Sequence, residues 1–109
     1  MSSAQPSPAQ KLLGDFAPKM VQLTDDVLFG DVWKRGGLSP RDRSLITVAV
    51  LAATSRPDQL ASHLRLGLDN GLTREELVEA LTHIAFYAGW PSGMGGLTQL
   101  KAIVEKDEK

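Results

Sequence analysis

The strongest constraint on the fold is a start signal for a helix, which recurs along the chain. Ser7-Pro8 and Ser39-Pro40 each place a side chain that can cap a helix directly before a proline, and proline favours the first helical turn. Thr73, with Glu76 three residues later, forms a capping box, which also opens a helix. No pair of strand patterns joined by a turn accompanies these signals, so the sequence predicts an all-α protein.

The same signals predict a single-domain bundle of about five to six helices over residues 8–105. A polar leader is expected at residues 1–7 and a charged, frayed tail at residues 106–109. The segment from Pro40 to about Thr54 is apolar on nearly all sides, which is typical of a central helix. Its β-branched run, residues 46–48, would also permit a strand, but no turn signal or partner strand flanks it.

Two other predicted helices carry specific packing expectations. The second helix is expected to run from Pro18 to the Gly36-Gly37 pair. Its buried side is predicted to consist of Met20, Val21, Leu23, Val27, Leu28 and Val32. The last helix begins at Pro91 and holds Gly93, Gly95 and Gly96 in its first turns, which suits close approach of another backbone.

Charge and composition exclude several classes of partner. The chain has 12 basic and 13 acidic residues, interspersed, so it carries no basic surface of the kind that binds nucleic acid or an anionic membrane. No apolar run is long enough to span a bilayer, and the first residues lack the pattern of a signal peptide, so a cytoplasmic location is expected. At 109 residues the chain buries little surface alone, which favours association.

Sulfur and metal chemistry are also constrained. The absence of cysteine excludes a disulfide framework, thiol catalysis and a thiolate metal site. Two histidines, His63 and His83, are too few for a histidine-based zinc site without help from carboxylates. We therefore expect no metal site.

His63 and Arg43 are the main candidates for chemistry. His63 shares a helix face with Leu60, Leu64 and Gly67, where a hydrogen-bonded core residue is the commoner interpretation. In an enzyme its imidazole could give and take a proton near neutral pH. Arg43 could bind a carboxylate through paired guanidinium donors, or could simply form a surface salt bridge.

The remaining candidates are weaker. His83 lies one turn before Tyr87, whose hydroxyl could contact a ligand, and Trp33 is included among the possible substrate contacts although packing would also explain it. Surface salt bridging accounts for Arg41, and the capping box accounts for Glu76. Without further information the residues leave the function open.

The sequence resembles the carboxymuconolactone decarboxylase family, within the alkylhydroperoxidase D-like superfamily. The resemblance spans roughly residues 28–104 and rests on the order and spacing of five motifs. They are Gly-Asp-Val-Trp-Lys-Arg-Gly-Gly-Leu at 30–38, Arg-Ser-Leu-Ile-Thr at 43–47, His-Leu-Arg at 63–65, Asn-Gly-Leu-Thr-Arg-Glu-Glu at 70–76 and Tyr-Ala-Gly-Trp-Pro at 87–91. The fold that it implies is a helical bundle of the alkylhydroperoxidase D-like type.

Departures from the superfamily pattern separate its two branches. The peroxidase branch uses two cysteines and a histidine, and these positions match Arg56, Gln59 and His63. The glutamate that this branch uses for proton relay falls at Ser44. The missing sulfur excludes a thiol peroxidase, and the departures resemble the decarboxylase branch, which is similar to this chain at residues 43–47. Gly36 stands where a proline is usual in that branch.

The resemblance implies decarboxylation of 4-carboxymuconolactone, a step in aromatic degradation that gives the β-ketoadipate enol-lactone without a cofactor. It implies a small anionic lactone as substrate and a homotrimer, or a hexamer built from trimers, as the assembly. On this basis we assign His63 to proton transfer and Arg43 to carboxylate or oxyanion binding, with Tyr87, His83 and Trp33 as substrate contacts. Two alternatives remain, namely proton transfer on another small lactone or keto acid, and a non-catalytic oligomeric binding protein.

Overall fold

The computed structural model describes residues 5–107, which form six α-helices and no β-strand. The prediction of an all-α protein of five to six helices is therefore confirmed. The helices are α1 (Pro8–Leu13), α2 (Pro18–Gln22), α3 (Pro40–Ala53), α4 (Pro57–Asp69), α5 (Arg74–Ala88) and α6 (Trp90–Asp107). A π-helical segment, Leu23–Phe29, and a 3₁₀ turn, Val32–Lys34, follow α2.

The chain divides into two compact units, one that ends at Gly37 and one that begins at Leu38. The single domain over residues 8–105 stays a prediction. Helix α6 continues through Asp107, beyond the start of the predicted frayed tail. Most of the predicted leader and the last two residues of the tail lie outside the described residues.

The predicted caps open three of the helices. Ser7 and Ser39 each accept a hydrogen bond, of 3.1 Å, from the backbone N–H three residues further on. Thr73 accepts from the Glu76 backbone N–H at 3.0 Å, and Glu76 Oε1 accepts from the Thr73 N–H at 2.9 Å. Each such cap stabilises a helix by about 1 kcal/mol. Helix α4 differs, because its N-cap residue, Arg56, makes no side-chain cap bond.

In the first unit, the predicted long second helix is wrong in its length and in its buried side. The π-helical segment ends at Phe29. The next residue, Gly30, packs so tightly that a Cβ on it would lie 2.5 Å from the Asp26 carbonyl oxygen. Of the predicted buried side, only Val21 is buried. The short helices of this unit offer too little surface to cover the other predicted members. The exposed members are Met20, Leu23, Val27, Leu28 and Val32.

The second unit contains one apolar core, to which α3, α4, α5 and α6 each contribute a face. Its buried members are Val48, Ala52, Leu60, Leu64, Leu72, Leu77, Leu81, Ile84, Leu100, Ile103 and Val104. Helix α3 packs against the other three helices, which confirms that it is central. It is not buried on all sides, however, because Ile46 and Val50 remain about half exposed. The buried leucines each contribute about 1.5–3 kcal/mol to stability.

Two of the three glycines of α6 allow it to lie directly against α5. A Cβ on Gly93 would lie 2.5 Å from the Cβ and 3.0 Å from the Cα of Ala85, and a Cβ on Gly96 would lie 2.6 Å from Leu81 Cδ2. A Cβ on Gly95 would meet nothing within 4 Å. The prediction that another backbone approaches closely is thus confirmed for Gly93, whereas at Gly96 the close atoms belong to the Leu81 side chain. It is wrong for Gly95, which lies on the open side of the helix.

This difference provides a matched pair of substitutions. We expect Gly93→Ala to destabilise the protein by about 1–3 kcal/mol, because α5 backbone would have to move. Gly95→Ala should stabilise it by about 0.5–1 kcal/mol, because alanine is the better helix former. Urea unfolding of both variants, followed by circular dichroism, measures the two effects. Equal stability of Gly93→Ala and the wild type would contradict the close approach of α5 and α6.

Candidate functional site

A polar contact joins the start of α3 to the end of α4. The side chain of Ser44 is completely buried, and its Oγ accepts a 3.0 Å hydrogen bond from Asn70 Nδ2. A Cβ built on Gly67 would lie 3.6 Å from Ser44 Cβ, so the two helices approach closely here. Since the start of one helix meets the end of the other, α3 and α4 run in opposite directions.

Both main candidates lie on this pair of helices. Arg43 directly precedes Ser44, and His63 lies one turn before Gly67. Each side chain is half-buried, and Arg43 Nε and His63 Nδ1 are shielded from solvent. The backbone carbonyl of Arg43 also accepts a 2.8 Å hydrogen bond from Thr47 Oγ1. The structure thus places a cation and an acid/base group on two packed helices, in a partly desolvated environment.

Burial lowers the pKa of His63 below its usual value of 6.5, because the charged form loses solvation. The imidazole is therefore neutral at neutral pH. Once protonated, it is a stronger acid than a histidine in water, so it gives up its proton more readily to a basic carbon or oxygen. A half-buried histidine of this kind is suited to proton transfer within an apolar site.

His83 lies elsewhere, in a groove of about 430 Å³ between α3 and α5. The floor of this groove is apolar and is formed by Leu45, Ala49, Ala80 and Ile84. Tyr87 stacks on His83 with the ring centroids 4.7 Å apart, and 82% of Tyr87 is exposed. Neither His63 nor Arg43 lines the groove. The predicted residues of the second unit therefore fall in two places.

The charged rim of the groove is a feature that the sequence analysis missed. Arg41 forms ion pairs with Asp42 and Glu76, and Glu79 also lines the groove. The hydrogen bond from the Thr73 backbone N–H holds the pKa of Glu76 below its usual value, and the Arg41 guanidinium lowers it further. The three- and four-residue steps from Glu76 to Glu79 and from Glu79 to His83 could have indicated a shared helix face.

Trp33 belongs to the first unit, where its ring stacks on Phe29 with the centroids 5.8 Å apart. Its assignment to substrate binding stays a prediction. Among residues 5–107, no three His, Asp or Glu side chains are grouped so that they could hold a metal ion. No helix in the same range is long and apolar enough to cross a membrane.

Comparison with known proteins decides the family. The sequence model of the carboxymuconolactone decarboxylase family matches residues 18–102, which is most of the chain. The chain belongs to this family. It is 42% identical over 91 residues to the 4-carboxymuconolactone decarboxylase of Acinetobacter baylyi, a match that covers 84% of this chain and 68% of the relative.

A second relative matches a smaller part of the chain. The chain is 37% identical over 71 residues to the nitrosuccinic acid decarboxylase of Metarhizium robertsii, which covers 65% of this chain and half of the relative. Both relatives are decarboxylases by name. The predicted family and the predicted class of reaction, that of a carboxy-lyase, are therefore confirmed.

Proposed function

We propose that this family member removes carbon dioxide from 4-carboxymuconolactone, or from a closely related small carboxylated lactone, without a cofactor. The observation that carries the proposal is the half-buried His63 on the α3–α4 pair that also bears Arg43. The identity to the bacterial 4-carboxymuconolactone decarboxylase supports the choice of substrate.

The substrate itself supplies the electron sink. When the bond between the ring carbon and its carboxylate breaks, the electron pair moves through the ring double bond to the lactone carbonyl oxygen. A ring carbon then takes up a proton, and the lactone carbonyl forms again. The overall reaction consumes one proton and releases one carbon dioxide. The protein must therefore hold a dianion, stabilise the developing oxyanion and deliver one proton.

His63 and Arg43 divide these tasks. The protonated imidazole of His63 donates its proton to the ring carbon, and the burial that lowers its pKa favours this step. The imidazole then takes up a new proton from solvent. The Arg43 guanidinium offers paired donors to a substrate carboxylate or to the lactone oxygen. Partial burial strengthens both interactions, because the surroundings screen charge less than water does. Tyr87 and His83 lie at the separate α3–α5 groove, so their assignment to contacts with the same substrate stays a prediction.

Exposed apolar side chains support an oligomeric enzyme. Phe86, Tyr87, Trp90 and Met94 follow one another along the end of α5 and the start of α6, and between 54% and 82% of each is exposed. A chain of 109 residues gains stability when a second copy covers such a surface. We assign the protein to a homotrimer, or a hexamer of trimers, that acts in the cytoplasm in the β-ketoadipate route of aromatic degradation.

The test is direct. Purified protein is incubated with 4-carboxymuconolactone, and with nitrosuccinate in parallel, and carbon dioxide release is compared with the rate without protein. We expect release from the lactone well above background and a smaller rate, or none, with the nitro acid. If the rate with the lactone equals the background and nitrosuccinate is turned over, the proposed substrate is wrong but the decarboxylase activity stands. Background rates with both would overturn the proposed function.

A further inference from the structure

A second cavity, of about 150 Å³, lies where α3 passes into α4 and meets the first turns of α6. Its inner wall includes the buried residues Ala52, Leu60 and Gly96, and exposed Ser55 and Arg56 lie at its mouth. Neither His63 nor Arg43 lines it. Along α4, His63 follows Arg56 by seven residues, a rise of roughly 10 Å. The cavity is thus lined by residues other than those assigned to proton transfer.

The carbonyl oxygen of the Gln99 side chain lines this cavity and is shielded from solvent. Within residues 5–107 it accepts no hydrogen bond. A buried acceptor without a donor is unfavourable, and native proteins usually satisfy it with water or a ligand. The inner part of the cavity therefore calls for an O–H or N–H group.

The mouth of the cavity instead favours a negatively charged group that accepts hydrogen bonds. The Arg56 side chain enters none of the ion pairs or hydrogen bonds formed by the described part of the chain, so its guanidinium is available at the rim. It begins a 13-residue helix whose first turn has no side-chain cap, and that end of a helix carries partial positive charge. Ser55 holds the corner before it in the left-handed region, at φ 58°. The Arg56 guanidinium and the start of α4 favour a carboxylate at the mouth.

We propose that this cavity binds a small cyclic carboxylic acid whose carboxylate meets Arg56 and whose hydroxyl, on the far side of the ring, donates to Gln99. An apolar cavity of this volume accommodates one benzene-sized ring. The mostly apolar inner wall suits the ring, and each polar end meets one polar residue. The site is independent of the proposed decarboxylase activity, and its test measures binding alone.

Three probes separate the two polar contacts. Benzoate carries only the carboxylate, phenol only the hydroxyl, and 4-hydroxybenzoate both. Dissociation constants come from chemical-shift titrations of the full-length protein, which also locate the binding residues. We expect 4-hydroxybenzoate to bind about 10-fold more tightly than benzoate, since the hydroxyl satisfies the buried acceptor. The largest shifts should fall on Ser55, Gly95 and Gly96.

Two variants and one control complete the test. Gln99→Leu should lower the affinity for 4-hydroxybenzoate to that for benzoate. Arg56→Gln should weaken the binding of benzoate and of 4-hydroxybenzoate about three- to fivefold and leave the binding of phenol unchanged. Arg65→Gln removes an exposed arginine of the same helix and should change nothing. Equal binding of benzoate and 4-hydroxybenzoate to the wild type overturns the proposal without any variant. Shifts confined to the α3–α5 groove, or no binding of any probe, also overturn it.

Discussion

Replacing His63 with glutamine is expected to lower kcat for decarboxylation by about 10²–10⁴, because the substituted side chain cannot donate a proton to the ring carbon. Glutamine is close to histidine in size and keeps hydrogen-bonding atoms, so the packing against α3 should persist. Steady-state carbon dioxide release from 4-carboxymuconolactone measures the loss, and circular dichroism checks that the helices are retained.

The pH dependence of kcat/KM in the wild type and in His63→Gln shows whether the loss of activity comes from lost proton transfer. In the wild type, kcat/KM should fall tenfold per pH unit above the pKa of His63, which burial places below 6.5. The bound dianion raises that pKa, so the corresponding limb of kcat should lie at higher pH. His63→Gln should lack both limbs. A variant that keeps the wild-type limb, or loses less than threefold in kcat, would assign proton transfer to another group.

The same pKa shift affects stability. Below about pH 6.5 the unfolded chain binds a proton at His63 that the folded chain resists, so the free energy of unfolding decreases as the pH falls through this window. Above it both states are neutral and the contribution vanishes. His63→Gln should remove this part of the acid sensitivity, which separates the titration of His63 from a loss of fold.

Replacing Arg43 with methionine is expected to lower kcat/KM for the lactone by about 10- to 150-fold, the range for the loss of a hydrogen bond to a charged group. Methionine keeps much of the apolar stem and removes the guanidinium. Arg43→Lys should retain part of the affinity, because it keeps the charge but not the paired donors. The loss should appear mainly in KM if Arg43 holds a carboxylate, and mainly in kcat if it stabilises the oxyanion.

The exposed arginine of α4 gives a control of the same residue type. Arg65→Gln should leave both kinetic constants within about twofold of the wild type, because exposed charges contribute little. Unfolding of Arg43→Met should be measured alongside, since the half-buried stem contributes to packing. Unchanged kcat/KM in Arg43→Met, with a folded protein, would exclude Arg43 from the site.

Much of the local structure could be predicted from particular residues. Ser7, Ser39 and Thr73 cap the helices that they were expected to cap. These signals act within three or four residues, so they operate regardless of what packs nearby. The π-helical segment after α2 was not predictable in this way, because its apolar spacing is also that of an ordinary helix.

The candidate site was predictable only in part. The spacing on α4 placed His63 near an apolar face, and the structure agrees, but the accompanying residues of the α3–α5 groove were missed. Arg41 had an adequate local explanation as a surface charge, and Glu76 had one as a capping residue. Their meeting across 35 positions depends on how α3 and α5 pack, which no local pattern records.

The sequence by itself determined where the helices begin, which family the chain belongs to, and that no thiol takes part, because caps, motifs and composition are properties of short segments. Only the tertiary structure decided which apolar faces are covered, that Gly93 but not Gly95 touches a neighbour, and that Gln99 faces a cavity without a donor. It also decided how far His63 is shielded, and hence the direction of its pKa. The physical reason is that burial is set by residues far apart in the chain.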